Sequence, residues 1–91
     1  MTTTKMLIGS LSNDLLRVAN LTYRGSNTAA AKFMTESERW VQELSEHETK
    51  PYIANIIADI KLHSKHKLNL ELADKFLMYS TLLQNYTLHI E

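Results

Sequence analysis

The chain has no cysteine. That excludes a disulfide framework, a thiol nucleophile and any zinc or iron–sulfur site built on thiolates, and it fits a reducing compartment. One proline and two glycines in 91 residues are too few breaks for a chain of short strands and turns, so long regular elements with short connections are expected. There is no excess of charge: ten Lys and Arg balance ten Asp and Glu. Binding to nucleic acid through a general positive field needs a basic footprint, and only a local patch remains open to this composition. No apolar run approaches the roughly 18–20 residues of a membrane span. The apolar stretch near Met1 is too short for a signal peptide, so a cytoplasmic protein is the expectation.

What is present is helical. Apolar residues make up 44% of the chain and charged ones 22%, an ordinary globular composition for a single domain spanning residues 1–91. The first helix is expected over 5–23, with Leu7, Ile8, Leu11, Leu15, Val18 and Ala19 on one stripe. Thr4 is a candidate cap before it, and Arg24-Gly25 a stop after it. The second, over 28–46, follows Ser26 or Asn27 and sets Ala30, Phe33, Met34, Ser37, Trp40, Val41 and Leu44 on one face. The third, over 51–63, opens at Pro51. Its isoleucines at 53, 56, 57 and 60 look like a strand by composition, but their spacing has a period of 3.6 and not 2. The fourth, over 70–90, follows Asn69 and carries the seam Leu72, Phe76, Tyr79, Leu83, Tyr86, Ile90. Short connections favour antiparallel neighbours, so the expected fold is all-α: a small antiparallel four-helix bundle. The third helix is the shortest and should leave one end uneven.

Two clusters invite chemistry. Lys61, His63, Lys65, His66 and Lys67 crowd the end of the third helix and the loop after it. They are candidate contacts for an anion or a nucleic-acid backbone, although cations at a helix C-terminus are also favoured by the helix dipole alone. Metal is not expected there, because the lysines repel a divalent ion and the run itself holds no carboxylate. Glu43, Glu46, His47 and Glu48 end the second helix, where Glu43 and His47 would lie one turn apart. They read as a solvated acidic end, since di-metal bundles use inward-facing glutamate and histidine pairs from several helices. No nucleophile elbow, phosphate-binding glycine loop or metalloprotease motif occurs, so neither an enzyme nor a cofactor is expected. No motif selects a known family.

The surplus of apolar residues is the more informative feature. Met78, Tyr79, Leu82 and Tyr86 widen the apolar arc of the fourth helix, and Leu16 and Tyr23 that of the first. They are the candidate interaction surface, with Trp40 a further anchor if it stands outside the core. The expected function is a non-enzymatic helical interaction or regulatory module, working as a homodimer or as a subunit of a complex. The alternative is a nucleic-acid-associated regulator whose dimer presents loop 61–67 twice.

Overall fold

The computed structural model describes residues 3–89, which form four helices: α1 Thr4–Tyr23, α2 Asn27–Leu44, α3 Pro51–His63 and α4 Leu70–His89. Their ends have local causes. Thr3, one residue ahead of the expected Thr4, caps α1, its hydroxyl accepting from the Met6 N–H at 3.1 Å. Beyond Tyr23, Gly25 takes a left-handed φ of 76°. The Gly25 and Ser26 amides then donate back to the Thr22 and Leu21 carbonyls at 3.0 and 2.9 Å, the paired closure of a Schellman stop. Pro51 opens α3, where its missing N–H costs nothing. Asn69 caps α4, its side-chain oxygen accepting from the Leu72 N–H at 2.8 Å. The expected last residue of α4, Ile90, lies outside the described residues.

One boundary is corrected. Helix α2 stops at Leu44, not at residue 46. The Ser45 hydroxyl donates back to the Val41 carbonyl at 2.8 Å, and the chain turns away. His47 therefore leaves Glu43 and reaches α1, where its Nδ1 lies 2.7 Å from the Thr4 hydroxyl.

Side-chain pairs give the direction of each helix. Asp14 and Arg17 of α1 meet Trp40 and Phe33 of α2 in descending order, and Thr4 meets His47 just beyond the end of α2. Ser12 and Tyr23 meet Ser80 and Asp74 of α4, again descending. Tyr52 and Asp59 of α3 meet Tyr86 and Lys75 of α4 in the same sense. All neighbours are thus antiparallel, in the circular order α1, α2, α3, α4, within a body of 37 × 22 × 22 Å. The expected stripes face inward: Leu7, Ile8, Leu11, Leu15, Val18, Val41, Leu44, the four isoleucines, Phe76 and Leu83 are all buried.

The packing is uneven for a reason visible in side-chain size. Helix α1 lies close to both α2 and α4, whereas α3 stands further off. Small buried residues line the close contacts: Ser12 and Ala19 on α1, Ala73 and Ser80 on α4, and Ala30 and Ser37 on the α2 flank that also carries Phe33 and Trp40. Small side chains let backbones approach; the isoleucines of α3 hold theirs apart. Ser12 and Ser80 lock the α1–α4 approach reciprocally, each hydroxyl donating to the other's carbonyl at 2.8 Å. The shortfall of α3 in length is covered by the loop at 64–69, whose Leu68 packs against the core.

Candidate functional site

The α3–α4 edge brings a cluster of charged and polar side chains together. Asp59, on the α4 side of α3, is its centre. Lys75 Nζ lies 2.8 Å from Asp59 Oδ2, His63 Nε2 lies 3.4 Å from Oδ1, and the Tyr79 hydroxyl donates to Oδ2. Burial alone would raise the Asp59 carboxyl. The hydrogen bonds from Lys75 and Tyr79, with the charges of Lys75 and His63, outweigh burial and hold it below the ordinary carboxylate value. Tyr79 moves the other way: burial first, then its bond to Asp59 and the charge there, push the phenol up to about 12.

These shifts have a definite sign in stability. A lowered carboxyl contributes stability that is fully present above its unfolded value and lost as pH falls through its folded value. Asp59→Asn should therefore cost about 1 kcal/mol at neutral pH. The gap to the parent should close as pH drops below about 4. Urea midpoints of both proteins across the acid range test this, and a gap constant with pH would show that the Asp59 charge is not what stabilises the edge. The raised Tyr79 phenol adds stability that is present below its ordinary value and lost as pH climbs through about 12.

Of the proposed interaction residues, Tyr79 is not on the surface. It is 9% exposed and faces Asp59. Tyr86 is half-buried and packs edge-on against Tyr52, ring centres 5.8 Å apart. Met78 and Leu82 are 51% and 41% exposed, one turn apart. They lie two residues either side of Ser80, hence on the far side of the helix from α1. Leu16 and Tyr23 are exposed on α1, where the Tyr23 hydroxyl donates to Asp74. The six residues thus divide between two edges of the bundle and its interior. Trp40 is half-buried, and its indole N–H donates to the buried Asp14 at 2.7 Å.

The basic run also divides. Lys61 turns to the α2 flank, its Nζ 3.2 Å from the Ser45 hydroxyl. His63, Lys65, His66 and Lys67 line a concavity of about 640 Å³ at the end of the bundle, which Lys75 and Glu71 complete from α4. Within it the two imidazoles touch, Nδ1 to Nδ1 at 3.0 Å. Sequence reasoning missed Asp59 and Lys75, which join this corner from a turn earlier on α3 and from a separate helix. The spacing of Asp59 to His63, one helical turn, was the available signal.

Among the described residues no three metal-ligating side chains are grouped to hold an ion, and no helix is long and apolar enough to cross a membrane. Comparison with protein-family models, curated proteins and solved structures finds nothing that matches this chain.

Proposed function

We propose that the chain is a non-enzymatic helical interaction module that works as a homodimer, paired through the outer face of α4. The observation that carries this reading is the row Glu71, Met78, Leu82, His89, all exposed and spaced by seven, four and seven residues. That spacing reads the same from both ends. A second copy laid antiparallel sets Met78 against Leu82, Leu82 against Met78, and Glu71 against His89 at both extremities. Such a contact is self-complementary, as a two-fold interface requires. The first-turn acid and last-turn imidazole also oppose the helix dipoles favourably. Half-buried Tyr86 and exposed Tyr52 extend the apolar row towards α3.

The reading is non-enzymatic because the convergent polar groups, Asp59, Lys75 and Tyr79, already satisfy one another. Each copy contributes little apolar area, so the dimer is weak and concentration-dependent. Sedimentation equilibrium tests it. The parent should pass from monomer to dimer as concentration rises, while Leu82→Glu stays monomeric with unchanged helical circular dichroism. Glu71→Lys should weaken pairing, and adding His89→Glu should restore it. A parent that stays monomeric at its solubility limit, or a dimer indifferent to Leu82→Glu, overturns the reading.

A further inference from the structure

We propose that the corner between α3 and α4 binds a compact dianion, a phosphate or sulfate group, and that binding is coupled to protonation of His63 and His66. This does not depend on pairing through α4. The charged groups facing the corner are Asp59 from α3, Lys65 and Lys67 from the loop, and Glu71 and Lys75 from α4. Three ammonium groups against two carboxylates leave one positive charge while both imidazoles are neutral; two protonated imidazoles raise it to three.

The imidazole contact is what couples charge to geometry. With Nδ1 facing Nδ1 at 3.0 Å, one nitrogen must carry the proton and the other must accept it. When both rings are protonated, two N–H groups oppose each other and the contact opens. Each Nδ1–H then becomes a free donor inside a concavity flanked by Lys65 and Lys67. His63 is held in place meanwhile from its other nitrogen, where Asp59 Oδ1 and Lys75 Nζ each lie 3.4 Å from Nε2 and Asp59 in turn pairs with Lys75. A divalent metal is the wrong occupant, because Lys65, Lys67 and Lys75 repel it. A dianion accepts from Lys65, Lys67 and the freed imidazole N–H groups and replaces the lost imidazole contact, with bonds strengthened by charge. The concavity, about 640 Å³ and open to solvent, has room for such an anion.

Sulfate is the probe, since it stays doubly charged across the imidazole range and any pH dependence then belongs to the protein. Titration of the full chain with sodium sulfate, against sodium chloride at equal ionic strength, is followed by NMR at the His63 and His66 rings and the loop amides. Saturable shifts are expected, about tenfold tighter at about pH 5.5 than at about pH 8. Lys65→Gln and Lys67→Gln should each weaken binding about threefold at both pH values. His66→Gln should cut the pH dependence from about tenfold to about threefold, the part left to His63, and keep the residual affinity, and Lys32→Gln, on α2, should change nothing. Inorganic phosphate and phenyl phosphate then separate the sources: equal affinity assigns the free ion, tighter monoester binding an organic phosphate. Shifts reproduced by chloride, affinity independent of pH, or an equal loss in Lys32→Gln overturns the proposal.

Discussion

Ser12→Leu is expected to lower stability by about 3–5 kcal/mol, whereas Ser12→Ala lowers it by only about 1 kcal/mol. The difference measures how closely α1 and α4 approach. Ser12 is 1% exposed and Ser80 5%, and the two exchange hydroxyl-to-carbonyl hydrogen bonds at 2.8 Å. Alanine removes one donor and leaves the backbones where they are. The Ser80 carbonyl it abandons sits within α4, so it keeps the acceptor role that the helix itself uses. Leucine adds three carbons to a contact with no room for them. It forces the helices apart at a cost of about 1–3 kcal/mol and breaks both reciprocal bonds at about 1 kcal/mol each. A domain of this size holds about 5–10 kcal/mol in all, so the leucine variant keeps little margin. Urea unfolding followed by far-ultraviolet circular dichroism and by the fluorescence of Trp40, the chain's one tryptophan, measures both variants. A leucine variant no less stable than the alanine one would mean that α1 and α4 are not in close contact.

That contact was only half legible in the sequence. The helices themselves were, because a 3.6-residue period is carried by many residues at once. Ile53, Ile56, Ile57 and Ile60 fixed the face of α3 in spite of their strand-like composition. Gly25 and Asn69 marked a stop and a start, because left-handed backbone and an exposed N–H each demand few residue types. Ser12 and Ser80 carried a fainter signal. Each stands within an apolar stripe, Ser12 seven residues from Ala19 and Ser80 seven from Ala73, and rows of small residues are where helices come close. The end of α2 was illegible, because Ser45 and Glu46 have no apolar period to break, and the contact that draws His47 away lies on Thr4. The same holds at the candidate site. Tyr79 sits in the inward phase of its helix yet has a polar tip, and only its partner Asp59, from another helix, decides that the tip is satisfied inside the bundle. Local pattern reports which face is buried; it does not report what the far end of a long side chain meets.

Phe76→Ala is expected to cost about 3–5 kcal/mol, the largest effect of any single truncation considered, while Phe76→Leu costs about 1–1.5 kcal/mol. Phe76 is fully enclosed and is the largest of the fully buried side chains. Removing its ring leaves a cavity that the stiff, β-branched isoleucines of α3 are poorly shaped to refill. The loss should also be uneven. Helix α1 is held to α2 and α4 by close backbone approach over most of its length, but α3 is held at a distance by side chains that span the gap. Phe76 shares the core cluster with the α3 isoleucines, so its loss should weaken the attachment of α3 more than the α1 contacts. Hydrogen exchange on Phe76→Ala under native conditions should then show the amides of α3 opening well before those of α1, by a step larger than in the parent. Equal loss of protection in all four helices would mean that the bundle opens as one unit. In that case the wider spacing of α3 has no energetic consequence, and the two edges that α3 shares, with α2 and with α4, are as firmly closed as the α1 contacts.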